Sequence, residues 1–152
     1  MCIFVAMNEK KQGLIDVQIR HAWHRIYRMY NQKAMAQGLT ISAGFILMNI
    51  DKAGTPSTSL GPRMGMEPTS LSRTLKSMED QGWIRREVTS KDKRKVLIFL
   101  TNEGLKKRNI VRDFLIDFNS KILERISKDE LHGFFKTMQA MDEIIDEIVK
   151  ND

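Results

Sequence analysis

The spacing of apolar positions changes along the chain, and each change marks an element. Over residues 9–37, Ile15, Ile19, Ala22, Ile26 and Tyr30 recur at spacings of three and four with no proline between them, which predicts one long amphipathic helix. Gly38 stands where a left-handed residue would end it. Residues 39–54, "LTISAGFILMNIDKAG", are apolar on nearly all sides through Phe45, Ile46, Leu47 and Ile50, with Thr40 or Ser42 as N-cap and Gly54 as the stop. A helix apolar all round belongs at the centre of a core. Next, Pro56, Gly61 and Pro62 confine any helix to a short one beginning near Ser57 to Ser59, with Pro62 tolerable only in its first turn. Gly65, Met66 and Glu67 then form a tight turn. Pro68 suits the first position of another helix, Leu71, Leu75 and Met78 form its apolar stripe, and Gly82 caps its end.

Beyond Gly82 the period shortens. Residues 83–88 and 95–101 alternate as strands do, with Ile84 and Val88 set against Arg85 and Glu87, and with Val96, Ile98 and Leu100 on one face. Between them "TSKDKRK" makes a basic hairpin tip. Thr101 is placed to cap a helix over 102–126, with Glu103 near its positive dipole end and a seam at Val111, Leu115, Phe118, Ile122 and Ile126. Ser127 and Glu130 form a capping box that opens a last helix reaching about 150, with Leu131, Phe134, Phe135, Met138, Met141, Ile145 and Ile148 facing inward.

This order of elements predicts a mainly α fold with a small β-hairpin wing: a winged helix-turn-helix over 40–101, flanked by long helices over 9–37 and 102–150. A small central domain cannot cover three such apolar faces. The terminal helices are therefore expected to close against each other and against a second copy of the chain, as a dimerisation region.

With 152 residues and 41% hydrophobic content, the chain has enough apolar surface for one core. No apolar run approaches the ~20 residues of a membrane span, so no membrane role is expected. The opening "MCIFVAM" lacks a basic stretch and reads as a ragged N-terminus with Met7 as an alternative start. Cys2 alone cannot build a disulfide framework, which suits a reducing cytoplasm.

Charge changes the picture more. Residues 1–54 hold seven Lys/Arg against three Asp/Glu, 55–112 hold thirteen against six, and 113–152 hold five against ten. The middle is thus +7 and the tail −5, and a segregated basic segment suits a polyanion. On the second helix of the pair, Thr69, Ser70, Ser72, Arg73 and Lys76 lie opposite the apolar stripe, with no acid before Glu79. Short hydroxyls near a helix N-terminus can bond phosphates or base edges, and Arg73 has the reach and fork for guanine.

Other chemistries find little support. His21 and His24 have a chelating spacing, yet His132 is the only other histidine and no HExxH or CxxC occurs, so structural or solvated histidines are the expectation and no metal or cofactor is assigned. No Gly-rich phosphate loop and no nucleophile paired with a base is present, which argues against an enzyme. The ten methionines fall mostly at helical core spacings.

Two motifs carry a family resemblance. The first is Asp92, Arg94, Leu100, Thr101 and Gly104, matching a wing signature of Asp, any residue, Arg, five residues, Leu-Thr, two residues, Gly. The second is Thr69, Ser70, Ser72 and Arg73, followed by Gly82 and the basic "IRR" of residues 84–86. In this order the chain resembles the MarR family of bacterial and archaeal transcriptional regulators over nearly its whole length. Gly61 and Pro62 depart from the helix-forming pattern usual in the family's first helix of the pair.

The resemblance implies a homodimer on double-stranded DNA whose recognition helices enter successive major grooves of a pseudo-palindromic operator, with wing arginines in flanking minor grooves. Arg94 carries over as the minor-groove residue, with Asp92 as the partner that orients it. Lys76, Arg85, Arg86, Lys91, Lys93 and Lys95 carry over as phosphate contacts. Arg20, Trp23, His24 and Tyr27 occupy the region where the family binds small aromatic or lipophilic effectors, although such a stripe is more often core. The expected role is a ligand-responsive cytoplasmic repressor. The alternatives are a winged helix used only for protein interaction, and a thiol sensor acting through Cys2. Cys2 precedes the first helix, whereas the sensing branch carries its cysteine within it.

Overall fold

In the computed structural model, residues 13–88 and 96–150 are described. They form α1 (Ile15–Ala36), α2 (Ile41–Asn49), β1 (Thr55–Pro56), α3 (Ser57–Met64), α4 (Pro68–Asp80), β2 (Ile84–Val88), β3 (Val96–Leu100), α5 (Asn102–Leu123) and α6 (Lys128–Lys150). The chain divides into two compact units, Met1–Val111 and Arg112–Asp152, with α5 running through the boundary.

The core of the first unit gathers Ile46, Leu47 and Ile50 from α2 and the residue after it, Leu60 from α3, Leu71, Leu75 and Met78 from α4, and Ile84 and Ile98 from the sheet. The all-round apolar helix is indeed central. Ile41, Ala43, Gly44, Ile46 and Leu47 of α2 are all buried. Its start is set by Thr40, whose hydroxyl accepts the Ala43 N–H at 3.1 Å. It stops at Asn49, short of the expected Gly54. Thr55 supplies the reason: its fully buried hydroxyl accepts the Asp51 N–H at 2.8 Å, which turns the chain out of the helix and into β1.

β1 was not expected. It pairs antiparallel with β3 (Thr55 opposite Ile98), giving a three-stranded sheet in the order β1-β3-β2 where the sequence pattern suggested a two-stranded wing. Two residues are too few to show a period of two, and one of them is proline, which an edge strand tolerates. α3 differs as well. It begins at Ser57, so Pro62 lies in its second turn and cannot donate to Thr58. The cost is confined to a helix that Gly65, at φ 59°, ends directly afterwards.

Two helix ends share one geometry. At the end of α1, Gly38 N–H donates to Met35 O at 3.0 Å and Leu39 N–H to Ala34 O at 2.9 Å. At the end of α4, Gly82 N–H donates to Glu79 O at 2.8 Å and Trp83 N–H to Met78 O at 2.9 Å. Both are Schellman motifs with glycine in the left-handed region, φ 68° and 70°, and each is followed by a buried apolar residue.

α1 starts at Ile15, later than the periodicity implied, after the non-helical Gly13 and Leu14. It buries no residue completely. Tyr30 sets its ring edge-on to Phe45 of α2 at 6.4 Å, and its partial burial pushes the phenol pKa above its ordinary value. α5 ends at Leu123, before the expected Ile126, in a turn where Arg125 N–H donates to Ile122 O. In the second unit the capping box forms as expected. Glu130 accepts from the Ser127 N–H at 2.7 Å and hydroxyl at 2.9 Å, while Glu130 N–H donates back to the Ser127 hydroxyl. Yet α6 has no buried residue, and Phe134, Phe135, Ile145 and Ile148 are all exposed in the single chain.

Candidate nucleic-acid interface

α3, the turn through Gly65, Met66 and Glu67, and α4 form the helix-turn-helix. α4 is held from below by Leu71, Leu75 and Met78, all buried, and starts with Pro68 at its first turn, where a missing N–H costs nothing. The opposite face is thereby fixed. Thr69, Ser70, Ser72, Arg73 and Lys76 are all exposed along it, so the structure brings together the five recognition-helix residues expected there.

The two arginines after Gly82 part company. Side chains alternate along β2, and Arg85 lies opposite Phe99 while Arg86 lies opposite Ile98. Arg86 faces α4 and pairs with Glu79, Nε to Oε2 at 2.9 Å. Arg85 faces the other way, paired with Glu87 and set over the Phe99 ring at 4.5 Å. Gly54, at φ 86°, lies against the outer end of that ring, where a Cβ would meet Cζ at 2.5 Å. The two arginines therefore present to opposite faces of the sheet. Arg86 shares a face with the recognition helix, and Arg85 belongs to the outer face of the wing. The alternation was readable in "IRREV" and predicts this separation.

Lys91, Asp92, Lys93, Arg94 and Lys95, the wing-tip residues, lie outside the described residues, as does Cys2. The flanking strands are described up to Val88 and from Val96, which pair with each other in register.

A groove of about 620 Å³ runs between α3, the turn and α4, with Thr58, Pro62, Met66, Leu71, Ser72 and Arg86 among its lining residues. Among the described residues no three His, Cys, Asp or Glu side chains gather as a metal site. No helix is long and apolar enough to cross a membrane, again among the described residues.

The family model for the MarR family matches residues 39–96, which run from two residues before α2 to the first residue of β3. Over that segment the chain is similar to the MarR family. A curated relative is the uncharacterized HTH-type transcriptional regulator YwoH of Bacillus subtilis (strain 168), 26% identical over 119 residues, 77% of this chain and 85% of that protein. Among solved structures, the MarR family transcription regulator SP03579 superposes with a TM-score of 0.84 at 21% identity, over 97% of this chain and 99% of that one. The S. aureus MepR–DNA complex superposes with a TM-score of 0.77 at 18% identity, over 86% and 98%. These likenesses establish the winged-helix fold with its flanking helices.

The MarR match stops short of α1, α5 and α6, and the residues considered for an effector lie in that flank. Arg20, Trp23, His24 and Tyr27 are all exposed on α1, with the Trp23 and Tyr27 rings 6.0 Å apart. Sequence reasoning overlooked Trp83, the buried residue on which α4, α5 and the end of α1 converge. Its signal was the placing of an apolar residue directly after a helix-ending glycine.

Proposed function

We propose that this protein is a sequence-specific, double-stranded-DNA-binding transcriptional regulator that acts as a homodimer on a pseudo-palindromic operator. One observation carries the reading: the outward face of α4 presents three hydroxyl residues, Arg73 and Lys76, on a helix immobilised by three buried apolar residues. A rigid helix with that face suits base readout in a major groove. The basic middle segment supplies phosphate attraction, and Arg86 supports it from the same side.

The homodimer is supported by α6, where Phe134, Phe135, Ile145 and Ile148 stay exposed in the single chain. Repression, and release by a small aromatic or lipophilic molecule held near Arg20, Trp23, His24 and Tyr27, complete the proposal, as does a cytoplasmic setting. Arg94 reaches the minor groove and Asp92 orients it, while Lys91, Lys93 and Lys95 contact phosphates.

Selection from a random duplex pool at moderate salt tests this. The wild type is expected to enrich an inverted repeat. Arg73→Ala should lose about 1–3 kcal/mol of discrimination at one base position. Arg94→Ala should weaken operator binding by at least ~1 kcal/mol with the dimer intact. A wild type that enriches no duplex sequence, with binding indifferent to salt, would mean that the fold serves protein contacts instead.

A further inference from the structure

Trp83 is where three helices meet, and each of its parts is engaged. Its N–H closes the last turn of α4 onto Met78 O. Its carbonyl accepts the Thr101 N–H at 3.0 Å, directly ahead of α5. The Thr101 hydroxyl does two further things: it donates to Gly82 O at 2.5 Å and accepts the Gly104 N–H at 3.1 Å, so the cap of α5 is bonded to the glycine that ends α4. Gly104 rests on the same carbonyl so closely that a Cβ there would lie 1.9 Å from Trp83 O. Lys107, one turn further along α5, holds its ammonium 5.7 Å from the Trp83 ring centre and donates to Gln37 O at 2.6 Å, at the C-terminal end of α1.

Helix capping alone does not require this. An N-cap hydroxyl needs only its own helix, and a helix-ending glycine needs no neighbour. Here the two caps are one hydrogen-bonded piece, and the only side chain small enough for its centre is hydrogen.

We propose that Thr101 and Gly104, seated on the Trp83 carbonyl, are positioning residues that fix the pitch of the recognition helix against α5, and thereby select the spacing between operator half-sites. The proposal rests on the DNA-binding dimer described above. A methyl group at Gly104 forces the two backbones apart by about 1 Å or more, since non-bonded carbon sits at ~3.5 Å from its neighbours. In a two-fold dimer both recognition helices shift, so the displacement between them doubles and approaches the ~3.4 Å rise of one base pair.

Two readouts on the full chain test it. First, duplex pools with fixed half-sites and variable spacers are ranked by affinity for the wild type, Thr101→Ser, Thr101→Val and Gly104→Ala. Second, in a Cys2→Ser, Ser77→Cys background, the distance between nitroxides on the two α4 helices is measured without DNA. Thr101→Val keeps the shape and loses the hydroxyl bonds, and it serves if Gly104→Ala does not fold. The expected result is a best spacer moved by one base pair, or a flattened ranking, in Thr101→Val and Gly104→Ala, with base preference inside each half-site unchanged and the nitroxide distance moved by ~2 Å or more. Thr101→Ser should restore the wild-type pattern. A residue that only stabilises the fold would lower binding equally at every spacer. Folded Thr101→Val with the wild-type ranking and distance overturns the proposal. If the wild type binds no duplex, the DNA reading fails, and the nitroxide distance still decides whether the joint sets the helix.

Discussion

α2 and α6 are both rich in apolar residues, and they meet opposite fates. The nine residues of α2 include five that are buried, Ile46 and Leu47 at 0% exposure. The 23 residues of α6 include none, and Phe135 and Ile148 remain 59% and 58% exposed. α2 is apolar on nearly all sides, whereas α6 is apolar along one stripe of an otherwise charged helix. α2 is wrapped by α1, α3, α4 and the sheet of its own unit, whereas α6 carries a stripe for which one copy of the chain supplies no cover. A sequence records that a face must be buried, and says nothing directly about which molecule buries it.

The largest expected effect tests the closed side of this contrast. Ile46→Ala removes a fully buried side chain and should cost about 2–5 kcal/mol of stability in denaturant unfolding, at every protein concentration. A loss below ~1 kcal/mol would mean that α2 is not the centre of the core. On the open side, Ile145→Glu should raise the dimer dissociation constant about a hundredfold, ~2.7 kcal/mol, by sedimentation. The wild-type melting temperature should also rise with protein concentration, and that dependence should vanish in the variant. An unchanged dissociation constant would place the dimer contact elsewhere.

How much of this was legible follows the same division between local and distant causes. The ends of α4 were readable because Pro68, Gly65 and Gly82 act within a turn of where they stand, and so did the capping box at Ser127. The polar face of α4 was readable too, since helical period alone puts Thr69, Arg73 and Lys76 opposite Leu71 and Leu75. The early end of α2 and the existence of β1 were not. Both depend on Thr55 finding Ile98 more than forty residues away, a pairing that two residues of strand cannot announce. The separation of Arg85 from Arg86 is different: the period of two stated it. Gly104 stood in the wing motif, but why glycine is needed there became visible only when the Trp83 carbonyl arrived beside it.

Thr55 gives a smaller test of the closed unit. Its hydroxyl is fully buried and takes the Asp51 N–H as α2 ends. Thr55→Val keeps the shape and orphans that donor, so it should cost about 1–3 kcal/mol by denaturation. It should leave dimer dissociation where it was, because the change falls wholly inside the first unit. An equal effect on dissociation would show that the two regions are coupled through more than the continuity of α5.

The smallest effect belongs to the open unit, at the start of α6. Accepting the Ser127 N–H and hydroxyl holds the Glu130 carboxyl below the usual carboxylate range. A group with a depressed folded pKa contributes stability that is present above its unfolded value and disappears as pH falls through the folded one. The capping box should therefore hold at neutral pH and fade only in acid, below the usual carboxylate range, and Glu130→Gln should remove that acid-sensitive component while changing little else. The carboxylate is solvent-exposed, so the signal belongs in the hydrogen exchange of the first turn of α6 and not in global unfolding. Exchange there that speeds up equally in acid with and without the carboxylate would mean that the box shapes the helix start without stabilising it. The long apolar face would then be ordered by its partner alone.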